Sequence, residues 1–362
     1  MQIKSLEFDN FRNYESFKIE FSPGVSVIYG ENGQGKTNIL EAVYLCGLGK
    51  SHRKSKEEEM IRFGENEAHI KGEFEAFGFS KRIDIHLKKN STKGIAVNRI
   101  PIKRVSELYG QISVVIFSPE DLELIKRGPA VRRNFLNVEL CQMDPIYTEN
   151  LICYTKILKQ RNELLKEIES KPEKSEELKS TLDIWDLQLS NYGQKIIKAR
   201  QEYIDELNEI IEKIHSEISG GKEKLKAIYE PSATDEDFYE QLLRVRKKDE
   251  IYKNTSVGPH RDDMSFTING TDLKSYGSQG QQRTCALSLK LAEIEIIEKK
   301  KKEKPILLLD DVLSELDRKR QKELLKRISS MQTIITCTGM DEFIENEAEV
   351  SGKFYIKDAK LV

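Results

Sequence analysis

The sequence predicts an α/β protein in which a mainly helical lobe interrupts an α/β lobe, and three changes of pattern indicate this. The first third alternates strand-like runs with one helix, at residues 3–8, 25–29, 36–48 (the helix), 68–77 and 82–87. From Glu120 onward the pattern is that of long helices. After Ile251 it returns to α/β, with a helix within 274–300, a strand at 305–309, a helix at 317–328 and a strand at 333–338.

The helical part contains apolar residues at heptad-like spacing between residues 151 and 203, interrupted by Arg161. Pro172 lies in a polar, helix-breaking segment, so we expect a short antiparallel hairpin with its tip near 170–175. The first helix, over 151–168, would be only about 27 Å long. The apolar stripes fit a projecting hairpin and the core of a helical bundle equally well. We expect one lobe to comprise 1–117 and 302–362, and the helical lobe 118–301.

The composition excludes several classes of protein. The chain has 362 residues, 59 basic and 61 acidic, and a formal charge of −2, so any attraction to nucleic acid must be local. The five cysteines are far apart and include no C-x-x-C pair, which argues against a disulfide framework or a zinc-binding cysteine site. The N-terminus lacks the apolar region of a signal peptide, and no apolar run approaches the length of a membrane span. We therefore expect a cytoplasmic protein without a membrane partner.

One motif predicts a phosphate-binding loop. Its residues fit G-x-x-x-x-G-K-[ST] and are Gly30, Glu31, Asn32, Gly33, Gln34, Gly35, Lys36 and Thr37, followed by Asn38. The motif lies between a strand and a helix, as the mechanism requires. The glycines allow backbone N–H groups to surround the phosphates of ATP, Lys36 reaches the β- and γ-phosphates, and the Thr37 hydroxyl is a ligand for Mg²⁺.

An apolar strand at 306–309 ends in two carboxylates, which is typical of a Walker B segment. We expect Asp310 to help hold Mg²⁺ and Asp311 to orient or deprotonate the attacking water. Apolar strands that end in aspartate are common, so this segment alone is weak evidence for an ATPase. Together with the phosphate-binding loop it is strong evidence.

A third segment starts a helix 32 residues before Asp310 and contains Ser278, Gln279, Gly280 and Gln281. Alone, it would be interpreted as an ordinary helix cap. The order of phosphate-binding loop, Ser-x-Gly-Gln, Walker B and Ser-Glu-Leu-Asp at 314–317 matches the plan of ABC ATPases. The sequence therefore predicts an ABC/SMC-type P-loop ATPase head with an inserted, mainly helical second lobe.

These motifs, with several others, resemble the RecF family of bacterial recombination proteins. The matching stretches are NFRNY at 10–14, GENGQGKTN at 30–38, KSHR at 50–53, FSPEDL at 117–122, GP at 128–129, RRNFL at 132–136, QRN at 160–162, VGPHRD at 257–262, YGSQGQQRT at 276–284 and LLLDDVLSELD at 307–317. Together they cover nearly the whole chain.

The resemblance implies a slow ATPase that forms an ATP-dependent homodimer and binds single-stranded DNA or gapped duplex. It also implies work with RecO and RecR in placing the recombinase RecA at gaps. In such a dimer Ser278 and Gly280 would contact the γ-phosphate of the partner's ATP, and Arg12 and Asn13 would lie near the adenine. Arg53 would be a candidate phosphate-sensing arginine.

The chain departs from the pattern of transporters at four places. Its signature is SQGQQ, and Asp311 replaces a glutamate. No histidine follows Ile335, where many ABC proteins have a switch histidine, so Thr336 or Thr338 would have to take that role. A Q-loop glutamine is not evident, since Gln111 precedes a strand. One alternative is a transporter subunit, but about 240 residues separate Lys36 from the signature, whereas transporters usually place the two much closer together. A second is a structural SMC protein, which needs much longer heptad segments. A third is a P-loop kinase, which has no use for a signature.

Two local basic clusters are candidates for the contact with DNA. One contains Lys50, His52, Arg53, Lys54 and Lys56, and the other is 299–302 with Lys304. A lysine run at a helix C-terminus commonly only complements the helix dipole. We therefore favour Lys54 and Lys56.

Overall fold

The computed structural model describes residues 1–170, 175–339 and 349–362. The chain divides into two compact units. The first comprises Met1–Leu122, Ile214–Gly221 and Arg283–Val362, and the second Glu123–Lys213 and Lys222–Gln282. The sequence suggested a helical lobe over 118–301, whereas residues 118–122, 214–221 and 283–301 of that range belong to the first unit.

The strands and helices predicted in the first third of the chain and after residue 274 are present, and the chain contains further strands, among them one at 225–230 in the region expected to be helical. The strands are β1 (Gln2–Asp9), β2 (Ser16–Glu20), β3 (Val25–Tyr29), β4 (Glu67–Ala76), β5 (Phe79–Lys88), β6 (Gly94–Val97), β7 (Ile100–Pro101), β8 (Val114–Phe117), β9 (Leu225–Glu230), β10 (Asp263–Ile268), β11 (Thr271–Asp272), β12 (Ile306–Asp310), β13 (Thr333–Cys337), β14 (Val350–Lys357) and β15 (Lys360–Leu361). The helices are α1 (Lys36–Leu48), α2 (Glu57–Met60), α3 (Glu123–Lys126), α4 (Pro129–Met143), α5 (Pro145–Ser170), α6 (Ser175–Ser219), α7 (Phe238–Tyr252), α8 (Leu273–Tyr276), α9 (Gln279–Lys301) and α10 (Arg318–Ile328).

A largely parallel sheet forms the centre of the first unit. Its strand order is β15-β14-β3-β13-β12-β8, and β14, β3, β13, β12 and β8 run parallel. Every residue of β12 and β13 is buried, as expected for strands covered on both faces. The register pairs Asp310 with Thr336 and Cys337 with Tyr29, so three chain segments that carry polar residues meet at the carboxyl edge of the sheet.

The same unit contains a second, antiparallel sheet with the order β2-β1-β4-β5-β6-β7. Strand β4 alternates exposed or half-buried residues with buried ones, so one face of the sheet is apolar and the other carries charged side chains. Helix α1 is buried along nearly all of its length and packs against β8 and β4. This packing fixes the start of α1 relative to the carboxyl edge of the parallel sheet.

The second unit is mainly helical, with a small sheet of order β11-β10-β9. Arg161 on α5 is fully buried, and its guanidinium lies 2.6 Å from Asp186 on α6 and 2.9 Å from Asp249 on α7. The apparent interruption of the heptads is thus a buried ion pair that ties three helices together. Lys253, at the end of α7, lies 2.6 Å from Glu169 on α5, so α7 follows α5 almost to its end.

The hairpin is more extended than the sequence suggested. Helix α5 begins at Pro145 and has 26 residues, which corresponds to about 39 Å. Near their adjoining ends α5 and α6 share a buried apolar cluster of Leu164, Leu165, Ile168 and Leu182. The predicted tip lies largely outside the described residues. In the described part of the chain, no helix has both the length and the apolar character of a membrane span.

Candidate nucleotide-binding site

The predicted phosphate-binding loop connects β3 to α1. Gly30, Gly33 and Gly35 have φ angles of 151°, 80° and 104°, in the region that favours glycine. A Cβ on Gly35 would lie 2.7 Å from the ring of Tyr14, and one on Gly30 would lie 2.3 Å from a backbone oxygen of Ile356. Both positions therefore exclude larger residues, and the loop keeps its backbone N–H groups close to the helix start.

Lys36 lies inside this loop. Its Nζ donates hydrogen bonds of 2.7 Å to the backbone oxygens of Gly30 and Glu31. Burial lowers the pKa of Lys36, whereas the nearby Asp311 raises it. An ammonium group held by two backbone carbonyls can exchange these partners for phosphate oxygens, which are stronger acceptors because they are charged.

Asp310, the predicted Walker B aspartate, lies near the loop because β12 pairs with β13, and β13 pairs with β3, the strand that precedes the loop. Its Oδ1 accepts a hydrogen bond of 2.7 Å from the Thr37 hydroxyl and one of 2.8 Å from the Thr336 hydroxyl. A threonine hydroxyl and a carboxylate at this distance are hard oxygen ligands of the kind that Mg²⁺ prefers. The donor set therefore fits Mg²⁺ bound together with a nucleotide.

Asp311 follows with a φ of 53°, an uncommon value for a residue with a side chain. Its backbone N–H donates to both the carbonyl and the hydroxyl oxygen of Thr336, at 3.2 and 3.1 Å. Burial, and then the charge of Asp310, raise the pKa of Asp311, while Lys36 lowers it. A raised pKa makes this carboxylate a stronger proton acceptor than an ordinary aspartate.

Arg12 and Asn13 lie next to the start of α1, but the contacts of Arg12 are directed into the protein. Its guanidinium donates to both oxygens of the buried Glu41, at 2.8 and 2.5 Å, and also to Ser55 and to the backbone of Glu59. Asn13 accepts a 2.8 Å hydrogen bond from the Asn38 amide. Arg12 thus anchors the segment after α1, in addition to any contact with a nucleotide.

The segment after α1 folds back onto the start of that helix. Arg53 donates a hydrogen bond of 3.1 Å to Oδ1 of Asn38, and the Ser51 hydroxyl donates one of 2.5 Å to Glu41. This places Arg53 beside the phosphate-binding loop, where a phosphate-sensing residue would be needed. Lys54 and Lys56 are exposed.

His52 differs from its predicted place in a basic surface cluster. Its ring packs edge-on against Tyr44, with centroids 5.5 Å apart, and its two ring nitrogens are buried without a hydrogen-bond partner among the described residues. Burial lowers the pKa of His52, although Glu41 and Asp310 raise it. Because both ring nitrogens are buried, the imidazole cannot donate a hydrogen bond to a DNA phosphate in this conformation, and we exclude His52 from the basic surface cluster.

The signature segment lies in the second unit and forms a reciprocal cap at the start of α9. The Ser278 N–H donates to the Gln281 side chain at 2.9 Å, and the Gln281 N–H donates to the Ser278 hydroxyl at 3.2 Å. Ser278, Gln279 and Gly280 are exposed. The start of α9 is therefore exposed, and the positive end of its helix dipole lies at this turn, which favours an anion.

Two other predicted positions differ in their surroundings. The Gln111 side chain accepts a hydrogen bond of 2.8 Å from Lys81 and donates one to the backbone of Glu107, so these contacts do not connect it to the phosphate-binding loop. Thr338 is exposed, whereas Thr336 is buried against Asp310. The geometry therefore favours Thr336 as the residue in the place of the switch histidine.

The parallel sheet, the loop with Lys36, and an aspartate paired with Thr37 define a P-loop head of the ABC/SMC type. The family model described as RecF/RecN/SMC N terminal domain matches residues 2–360. The DNA replication and repair protein RecF of Agathobacter rectalis is 56% identical over 98% of this chain and 97% of its own length. The corresponding protein of Lachnospira eligens is 53% identical over 100% of this chain and 99% of its own length. The chain therefore belongs to the RecF family.

Solved structures agree with this assignment. A structure of the recombination mediator protein RecF with ATP, from the RecFOR pathway, has a TM-score of 0.91 and 40% identity, and the match covers 99% of this chain and 96% of that one. The Smc head domain of Pyrococcus furiosus matches over 99% of this chain and 95% of its own, with a TM-score of 0.57 and 17% identity, which reflects the shared fold.

Proposed function

We propose that this chain is a cytoplasmic, ATP-dependent DNA-binding protein of replication and recombinational repair, which uses slow ATP hydrolysis as a switch. The observation that carries the proposal is the group formed by Lys36, Thr37 and Asp310 at the carboxyl edge of the parallel sheet. Such a group suits a nucleoside triphosphate, and the relatives that match the whole chain are replication and repair proteins.

Each residue of the site has a part in this function. The loop residues Gly30 to Asn38 would surround the phosphates, and Lys36 would neutralise the β- and γ-phosphates. Thr37 and Asp310 would hold Mg²⁺, which supplies positive charge where negative charge develops. Asp311 would accept a proton from the attacking water, and Asn13 would lie near the adenine together with Arg12.

Slow turnover follows from the placement of Asp311. Its side chain is one methylene shorter than the glutamate of transporters, and its backbone is fixed at positive φ by two hydrogen bonds to Thr336. We infer that this carboxylate reaches the attacking water only when the closed state positions it. The ATP-bound state would then be long-lived, as a switch requires.

We further propose that ATP joins two copies of the chain. The exposed turn of Ser278, Gln279, Gly280 and Gln281 would contact the γ-phosphate held by the partner's phosphate-binding loop. Formation of the dimer would bring together the segments after α1 of both copies, including Lys54 and Lys56, and so form a basic surface for single-stranded or gapped DNA. RecR and RecO would recognise this closed form and help place RecA on the single strand.

The decisive experiment measures DNA binding by the full chain with ATP, with ADP and without nucleotide. Single-stranded, duplex and gapped DNA are compared across a salt series, since the slope counts the phosphates contacted. We expect tighter binding with ATP, and loss of that difference in Lys36→Met. Equal DNA affinity in all three nucleotide states would overturn the proposal.

A further inference from the structure

Three side chains with metal-binding atoms lie together on the exposed face of the antiparallel sheet. His69 on β4 and His86 on β5 are direct partners in the register of these strands. Glu67 precedes His69 by two residues and therefore lies on the same face. The pairing of the two strands alone brings the three side chains to one place.

The orientation of the two rings is more specific than their position. The imidazoles are stacked, with centroids 3.9 Å apart and an interplanar angle of 23°. Nε2 of His86 lies 2.9 Å from Oε2 of Glu67, and Nε2 of His69 lies 3.8 Å from Oε1 of the same carboxylate. Both rings therefore direct the same nitrogen at one carboxylate group.

These distances are close to those of a zinc site. With zinc–ligand bonds of about 2.0–2.2 Å in a tetrahedron, neighbouring ligand atoms are about 3.3 Å apart. The two observed separations lie on either side of this value, and one ligand atom from each residue can be chosen so that all lie within 4.8 Å of one another. Small side-chain rotations would suffice to complete three of the four positions.

We propose that Glu67, His69 and His86 form a binding site for Zn²⁺. Two imidazoles and one carboxylate are a donor set that suits zinc, whereas Mg²⁺ prefers oxygen ligands alone. His69 and His86 also line a groove of about 450 Å³, together with Asp9, Lys71 and Asp84. Water or a carboxylate from the groove could complete the coordination.

A simple ion pair explains less of the arrangement. It accounts for the contact of His86 with Glu67, but not for the stacked His69, whose Nε2 faces the second oxygen of that carboxylate. The supports are also rigid, because β4 pairs with β1 and β5, and β5 pairs with β6. Ligands on internal strands of a sheet are held more precisely than ligands on loops.

The test is a calorimetric titration of the full chain with zinc chloride in the absence of nucleotide. We expect one zinc ion per chain at this site, and binding weakened at least about tenfold in each of His69→Gln, His86→Gln and Glu67→Gln. Glu75→Gln is the matched control, since it removes the same charge from the same strand and face without touching the cluster. Circular dichroism and melting curves verify that the surface variants fold.

A second titration distinguishes zinc binding at this site from metal binding at the nucleotide site. The titration is repeated in an Asp310→Asn background, where the proposed Mg²⁺ ligands are incomplete, and Co²⁺ is used as a spectroscopic substitute. We expect the zinc site to persist in that background, and a tetrahedral Co²⁺ spectrum that His69→Gln abolishes. Unchanged zinc affinity and stoichiometry in the His69→Gln, His86→Gln double variant would overturn the proposal, as would absence of zinc binding by the unaltered chain.

Discussion

Thr336 donates a hydrogen bond of 2.8 Å from its hydroxyl to Oδ1 of Asp310. The same oxygen accepts from Thr37, and the backbone N–H of Asp311 donates to the hydroxyl and carbonyl oxygens of Thr336. One buried threonine therefore fixes both carboxylate residues of the Walker B segment. Because Thr336 lies on β13, next to β12, it connects the end of β13 to the residues proposed to hydrolyse ATP.

We expect Thr336→Val to slow hydrolysis by about tenfold to hundredfold, because it removes about 1–3 kcal/mol of hydrogen bonding while preserving side-chain shape. ATP affinity, measured with a fluorescent analogue, should change by less than about threefold. Thr336→Ser retains the hydroxyl and should keep most of the activity. Thr338→Val is the control on the same chain segment, and an equal loss in that variant would contradict the assignment.

Asp311→Asn should reduce steady-state hydrolysis by at least about a hundredfold, since an amide cannot accept the proton of the attacking water. ATP binding should persist, and light scattering should detect an accumulated dimer in the presence of ATP. Lys36→Met is the comparison variant, in which ATP should cause no dimerisation. Hydrolysis by Asp311→Asn at the unaltered rate would show that another group accepts the proton.

The pKa of Asp311 predicts how the rate of ATP hydrolysis depends on pH. Burial raises the pKa of Asp311, so the carboxylate becomes protonated at a higher pH than an ordinary aspartate would. Its protonated form cannot act as a base. Single-turnover hydrolysis should therefore fall on the acid side, with a midpoint above the ordinary aspartate value, and this dependence should vanish in Asp311→Asn.

The ion pair of Arg12 with Glu41 should matter for stability. Arg12→Ala leaves a fully buried carboxylate without its bidentate partner, which we expect to cost about 3–5 kcal/mol in a urea titration. Arg62→Ala is the matched control, because it breaks an exposed pair with Glu15 and should cost less than about 1 kcal/mol. An equal cost for both variants would remove the structural role of Arg12.

The sign of the pH effect at Glu41 follows from its partners. Burial raises its pKa, but hydrogen bonds from Arg12 and Ser51 outweigh burial, so the pKa in the folded state is lowered. The stabilisation is therefore present above the pKa of the unfolded chain and is lost as the pH falls through the lower, folded value. The difference in unfolding free energy between Arg12→Ala and the unaltered chain should shrink over that acid range.

The sequence predicted the features that depend on local order. The spacing of Gly30 to Thr37 predicts a loop between a strand and a helix. The apolar run before Asp310 predicts that this residue lies at the end of a strand. Features that depend on strand register or on long-range packing were not predictable. The pairing of Thr336 with Asp310, the burial of the ring nitrogens of His52, and the approach of Glu67 to two histidines all require knowledge of which strands and segments are neighbours.

The signature segment should act in trans, and mixing of two inactive variants tests this. Lys36→Met disables the phosphate-binding loop and Ser278→Arg blocks the turn that starts α9, so neither homodimer has an intact composite site. A mixture should recover activity, because one site per heterodimer combines an unaltered loop with an unaltered turn. Recovery should be greatest near equal concentrations, and absence of recovery at every ratio would favour a role in cis.

The remaining prediction concerns the exposed lysines after α1. Replacing both Lys54 and Lys56 with glutamate should weaken ATP-dependent binding to all DNA sequences alike and flatten the salt dependence, because phosphate contacts carry no sequence information. ATP binding should be unchanged, since both lysines follow Arg53, the residue whose side chain donates a hydrogen bond to Asn38 at the start of α1.

The matched control for this pair is a double variant of the exposed Lys88 and Lys89 to glutamate, which makes the same change of charge in the same unit. Fluorescence anisotropy with ATP at low salt measures both variants against labelled gapped DNA. We expect a clear loss for the Lys54 and Lys56 variant and a small, general electrostatic effect for the control. Equal affinities for the two variants would remove Lys54 and Lys56 from the DNA site and direct the search to the basic residues of the helical unit.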